Sequence, residues 1–408
     1  MELSEIDLVN PDVWVRGVPH DAFRLLRQKA PVFWQDMPGS DQGFWAVTKY
    51  EDVVAISKDP ATFSSYRGTA LLRDLPKEDL EQTRTIMLNM DPPQHSKYRK
   101  LVSQGFTPRM TAALEPRIRK ATIEILDRVA ERGSCDFVRE IAAELPLIVI
   151  AELIGIPLED RHKVFEWSNR LIGFDDPEFA TSEEDGKMAA AEIWLYANQL
   201  AEQRKKEPKD DLVSVLMTGE VDGEKLTEME FDSFFLLLAV AGNETTRNLI
   251  SGGMLALIEH PEQRQKLLAD PSLLNSAVEE MLRWVSPVSQ FRRTATRDTE
   301  IRGQKIKEND KIVIYYQSAN RDEDVFPNPD VFDITRSPNN HIAFGIGEHF
   351  CLGANLARLE IRVMFEEIMR RMPDMELAGP VRRLRSNFIN GIKEMPVKFT
   401  PRRFRAAS

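Results

Sequence analysis

The 408-residue chain has two cysteines, Cys135 and Cys351, and one of them stands where a thiol could do chemistry. Cys351 lies in "HIAFGIGEHFCLGANLARLEIRVMF", where a glycine-studded loop runs into an amphipathic helical period. A thiolate needs stabilisation, and the N–H groups of a tight loop together with the positive end of a helix supply it. Gly345, Gly347 and Gly353 let the backbone take positive φ and approach a flat ligand closely. The loop therefore presents a sulfur, with donors around it, to something on its open side. Zinc does not suit it, because no CxxC pair or His/Cys cluster has ligand spacing. A protease-type nucleophile has no evident His–Asn partner. For such a motif taken alone, the ordinary alternative is a buried structural cysteine.

Three other groupings have spacings that matter. In "LLLAVAGNETTRNLISGGM", Ala241 and Thr245 are four apart and share a helix face. Glu244 and Thr245 form an acid–alcohol pair on an otherwise apolar helix, where a threonine can bond back to a carbonyl and loosen the turn. In "NMDPPQHSKYRKLVSQGFTPRM", His95 and Arg99 lie on one helix face. In "SAVEEMLRW", Glu280 and Arg283 are three apart, close enough for an ion pair that is usually no more than a solvated surface contact.

"FGIGEHFCLG" matches the haem-binding signature of the cytochrome P450 family, Phe-Gly-x-Gly-x-His-x-Cys-x-Gly, at every fixed position, and the chain is identified as a member of that family. The resemblance runs from about Pro92 to Lys393 and implies haem b with Cys351 as axial thiolate, pushing electron density toward bound oxygen. It implies that Phe344 packs on the sulfur side, and that Gly345, Gly353, Ala241 and Gly242 lie along the haem. His349, His95, Arg99 and Arg293 become propionate partners, with Arg293 preferred over Arg292 by its spacing to Asp298. Thr245 and Glu244 handle protons on the oxygen side. Glu280, Arg283 and Arg336 of "FDITR" form a buried network holding the segment before the thiol loop. Cys135 matches none of these places and reads as structural.

Substrate pockets are largely apolar. Leu237 and Val240 are expected on the oxygen side, with Val288 after Pro287 and with Met87 and Leu88 before "DPP". "AGNETTRN", "RWVSPVSQFRRTATRDTEIRG" and "NFINGIKEMPVKF" resemble bacterial enzymes that hydroxylate terminal methyls of cholesterol-type side chains and methyl-branched lipids. Terpenoid hydroxylases are the nearest rival. Electrons are expected from a ferredoxin or flavodoxin-type donor with an NAD(P)H-dependent reductase, meeting Lys97, Lys100, Arg109, Arg358 and Arg362 on the Cys351 side. A peroxide-driven haem enzyme would lack the acid–alcohol pair, and a non-catalytic haem sensor would not need it.

The elements that must position these residues follow from pattern. The balance is mainly α with smaller β sheets in a single domain, residues 1–90 being a strand–helix region and residues 91–408 a helical haem-binding core with a small β meander. "HDAFRLLRQK" reads as helix, and "PVFWQ" and "FWAVTKY" read as strands. Thr107 caps a helix with Pro108 at its first position, ending at Gly133. A very long helix covers Glu228 to Glu259, another runs from about Leu273 to Trp284, and "FRRTATRDTEIRGQKIKENDKIVIYY" reads as a small antiparallel sheet. With 42% hydrophobic and 29% charged residues the chain is globular, and a net charge of −11 argues against nucleic acid as the main partner. Two cysteines, an acidic N-terminus and no long apolar run read as a cytosolic protein without a membrane anchor.

Overall fold

The longest helical period in the sequence becomes the helix around which the others pack. The computed structural model describes residues 1–39, 42–103, 106–180, 182–209 and 211–403. In chain order, the elements that position the site begin with helix α1 (His20–Lys29), strands β1 (Val32–Asp36) and β2 (Gly43–Val47), helix α2 (Tyr50–Ser57) and strand β3 (Phe63–Ser64). Helices α3 (Gln94–Ser103), α4 (Pro108–Ala130), α5 (Glu144–Ile154), α6 (Arg161–Ile172), α7 (Glu183–Lys206), α8 (Glu228–Glu259) and α9 (Leu274–Val285) follow. Strands β4 (Gln290–Ala295) and β5 (Lys311–Tyr315) and helix α10 (Ala354–Arg371) complete the set.

Local chemistry fixes the helix ends. The Met110 N–H donates to Thr107 Oγ1 at 3.3 Å, opening α4, and Gly133 turns the chain away from its far end at φ +71°. α8 starts with a capping box, in which the Thr227 N–H donates to Glu230 Oε2 at 2.8 Å and the Glu230 N–H donates to Thr227 Oγ1 at 3.3 Å. α8 then packs on α5, α6, α7, α9 and α10. Its apolar residues divide between two cores. Leu249 to Leu257 join α4, α9 and α10, while Phe231 to Ala239 join α3, α5 and α7. Among the described residues, no helix is long and apolar enough to cross a membrane.

The sheet departs from expectation. Residues 291–316 do not form a small antiparallel sheet of their own. β4 and β5 pair antiparallel, but β5 also runs parallel to β2, giving a five-stranded mixed sheet in the order β1-β2-β5-β4-β3. The reason is burial. Ile312, Val313, Ile314 and Tyr315 are all fully buried, so "KIVIY" takes a neighbour on each side. Residues 299–306 fold as a separate hairpin. The N-terminal strands are thus joined to the strand region that carries Arg293.

Candidate active site

Cys351 is held by its own loop. Its N–H donates to the Phe344 carbonyl at 2.9 Å, and Gly345 and Gly347 take φ of +73° and +77°. A Cβ on Gly347 would collide with the Ser57 carbonyl, so this glycine serves the crossing of the loop over the end of α2 rather than approach to a ligand. Gly353 also differs from expectation. Its φ is −88°, yet a Cβ there would meet nothing within 4 Å, which leaves the backbone open on that side. α10 begins at Ala354, placing the sulfur at a helix N-terminus. Burial pushes the thiol up, against the opposing pull of the Gly353 N–H, Arg99 and Arg358. A metal ion bound at this sulfur would favour the thiolate against that rise. Arg358 lies 4.6 Å from the Phe344 ring centre and is held by Glu279 at 2.6 Å.

A cluster of cationic and imidazole groups converges beside this loop. The His95 and His349 rings are 4.2 Å apart between centres. His349 Nε2 lies 3.2 Å from Ser65 Oγ, while His95 Nδ1 is buried without a partner among the described residues. Arg99 donates to the Phe350 carbonyl at 2.6 Å, and Arg293 donates to the Arg292 carbonyl at 2.8 Å. Neither Arg99 nor Arg293 has an ion pair among the described residues. Burial pushes His349 down to about 2, helped by the charges of Arg293 and Arg99 nearby, and burial lowers Arg293 as well. Its neighbour Arg292 is taken by Asp74 at 2.5 Å. Unpaired buried cations are costly unless an anion joins them. The two propionates of haem fit this cradle, and the open flank of Gly353 and the Cys351 sulfur would hold its ring and iron.

Along the middle of α8 most residues are buried, and one strip stays open. Leu237, Val240 and Thr245 are half-buried and Ala241 is exposed. The Thr245 hydroxyl donates to the Ala241 carbonyl at 2.9 Å. Glu244 does not share this strip. It is 1% exposed and its carboxylate is bonded to Arg247, whose Nη1 donates to Asn169 Oδ1 of α6 at 3.0 Å. The i,i+3 spacing of Glu244 and Arg247 was the signal for that pair. Gly242 likewise turns from the strip, since a Cβ on it would lie 2.6 Å from Ile150 of α5; close helix packing is what requires glycine here.

Of the expected pocket residues, Leu88 and Val288 are half-buried, whereas Met87 packs inside the core shared by α3, α5 and α7. Val288 bridges to Ile389. It belongs to an apolar cluster of Leu384, Phe388, Ile389, Ala70, Ile172 and Phe179, whose members come from distant parts of the chain and carry no local motif.

Glu280 and Arg283 meet at 2.7 and 2.8 Å and are both fully buried. Arg336 reaches Glu280 at 3.1 Å and caps the Pro327 and Val331 carbonyls at 2.7 and 2.9 Å. The network pins residues 327–336, which lead into the thiol loop. On the candidate donor face, Lys97 pairs with Asp222, Arg358 with Glu279 and Arg362 with Glu115, while Lys100 and Arg109 are exposed without an ion pair among the described residues.

A family model described as cytochrome P450 matches residues 8–373. A steroid C26-monooxygenase of Rhodococcus jostii is 46% identical over 402 residues, covering 96% of this chain and 84% of that protein. A methyl-branched lipid omega-hydroxylase of Mycobacterium tuberculosis is 43% identical, covering 98% and 95%. A solved structure of a Mycobacterium marinum cytochrome P450 in complex with pseudoionone superposes with a TM-score of 0.90 at 39% identity, covering 97% of this chain and 98% of that one.

Proposed function

The chain belongs to the cytochrome P450 family, and from that premise we propose that this haem-thiolate monooxygenase hydroxylates the terminal methyl of a branched hydrophobic chain, of the steroid side-chain or methyl-branched lipid type. The observation that carries the reading is the open strip Leu237–Val240–Ala241–Thr245, apolar but for one hydroxyl, on the mostly buried middle of α8. Haem bound by Cys351 supplies oxygen activation, with the thiolate favouring O–O cleavage. His95, Arg99, Arg293 and His349 hold the propionates. Leu237 and Val240 exclude water and seat the hydrocarbon. Ala241 leaves room beside Thr245. The Thr245 hydroxyl, its proton engaged by the Ala241 carbonyl, offers lone pairs to an incoming donor, and Glu244, buried off this strip, is the proton source whose carboxyl must turn from Arg247 to reach it. Val288, Ile389 and Phe179 enclose the far end of an elongated substrate.

Electrons come from a separate ferredoxin or flavodoxin-type protein reduced through NAD(P)H, docking near Lys100 and Arg109. Ferric enzyme titrated with steroids bearing a branched side chain, methyl-branched lipids and terpenoids should show its optical shift with the first two, and products should carry oxygen on a terminal methyl. Tighter binding of terpenoids, or oxygen placed only on ring or chain carbons, would overturn the substrate class. Thr245→Ala is expected to lower product formed per NAD(P)H about tenfold or more. Full turnover with peroxide alone would remove the need for a donor protein.

A further inference from the structure

Glu244 is enclosed by a small set of polar groups. Its carboxylate bonds Arg247 one turn further along α8, with Asn248 as a polar neighbour on the same helix. Arg247 is itself fixed from α6, by Asn169 Oδ1 at 3.0 Å and by the Phe165 ring, whose centre lies 5.2 Å from the guanidinium carbon. Both charged side chains are nearly fully buried, at 1% and 4% exposure. The pair is not saturated, because Glu244 Oε1 and Arg247 Nε have no hydrogen-bond partner within bonding geometry among the described residues, the Asn248 amide being the polar group nearby. We infer that Arg247, held in turn by Asn169, is a positioning residue for Glu244 that fixes where its carboxyl points and which proton state it keeps.

The inference rests on the reading that Glu244 supplies protons. Burial drives this carboxyl above its ordinary value, and Arg247 is the charged side chain that opposes the rise. A proton donor works best when neither form is out of reach at the working pH. Without Arg247, only the Asn248 amide opposes burial, and the carboxyl is driven further above its ordinary value. Without Asn169, the guanidinium keeps its charge but loses its anchor, so the carboxyl loses its aim.

The test is the infrared spectrum of the ferric holoenzyme, read beside the pH profile of coupling. Arg247→Met should give a protonated-carboxyl band at pH 7 stronger than in the wild type. The band should vanish in the Arg247→Met, Glu244→Gln double variant and return to wild-type strength in Arg247→Lys. Product per NAD(P)H should fall about tenfold in Arg247→Met. Asn169→Ala keeps the charge and serves if Arg247→Met does not fold; it should lower coupling severalfold and shift its pH limb. An unchanged band and an unchanged pH limb in both variants would overturn the inference. If Glu244→Gln itself couples like the wild type, the proton-supply reading fails instead, whatever the band does.

Discussion

Glu244 and Glu280 each stand three residues before an arginine on a buried helix, and the structure uses these two pairs in opposite ways. At Glu280, both carboxylate oxygens are filled. Oε1 accepts from Arg283 Nη2 at 2.7 Å and from the Asp333 N–H at 2.9 Å, while Oε2 accepts from Arg283 Nε at 2.8 Å, Arg336 Nε at 3.1 Å and Asn339 Nδ2 at 3.1 Å. At Glu244, one oxygen is bonded to Arg247 and the other has no hydrogen-bond partner among the described residues. A saturated carboxylate cannot change its proton state or its partners without breaking several bonds at once. An unsaturated one can. Identical spacing in sequence thus yields a fixed support on the path to Cys351 and an adjustable group on the buried side of α8.

The strongest way to break this contrast is Glu280→Gln. An amide NH2 placed at either oxygen position would face donors there, so the swap sets donor against donor and leaves arginine charge uncompensated in the core. We expect a loss of about 3–5 kcal/mol in urea unfolding, together with haem released during purification. A variant within experimental error of the wild type would mean that the Glu280 network contributes nothing to the support of the thiol loop.

The imidazole cradle gives a second, smaller measure of what unpaired groups cost. His349 is held down to about 2, first by burial and then by Arg293. Below its ordinary value of about 6.5, the unfolded chain binds a proton that the folded His349 refuses. Stability of the haem-free protein should therefore fall as pH drops through that value, by about 2 kcal/mol between pH 6.5 and 5. Propionates beside His349 favour its charged form, so the loaded protein should lose less. Unfolding midpoints of both forms at pH 7 and 5 check this, and equal slopes would place the propionates elsewhere.

How much of this was legible in sequence follows the same division. The thiol loop, the long helix and its Glu228 and Glu259 ends, and the Glu280–Arg283 pair could be read because each rests on residues close together or on a fixed spacing, whereas Arg336, 56 residues from Glu280, came only through the family resemblance. The parallel pairing of β5 with β2 could not, since it joins strands more than 260 residues apart and depends on burial of both strand faces. The role of Gly242 was misplaced because only its neighbour across the helix interface, Ile150, explains it. Phe179, Phe388 and Ala70 went unnoticed because an apolar residue in a loop looks the same whether it meets solvent, core or substrate. Glu244 was placed on the wrong side of its helix by weighing it with Thr245 rather than with Arg247.

The smallest expected effect sharpens the comparison most. Glu244→Gln makes the same chemical change as Glu280→Gln, on a glutamate equally buried and equally close to an arginine. Here the amide NH2 can take the position of Oε1, where the Asn248 amide is the polar neighbour and no charged donor is bonded, and the amide oxygen can still accept from Arg247. Arg247 keeps Asn169 and the Phe165 ring. The stability lost is then that of one charge-assisted bond made neutral, about 1 kcal/mol, against several for its counterpart. Coupling of NAD(P)H to product should move the other way, falling in Glu244→Gln while any Glu280→Gln protein that retains haem couples like the wild type. If unfolding shows the two substitutions to cost the same, saturation of the carboxylate is not what separates the two sites.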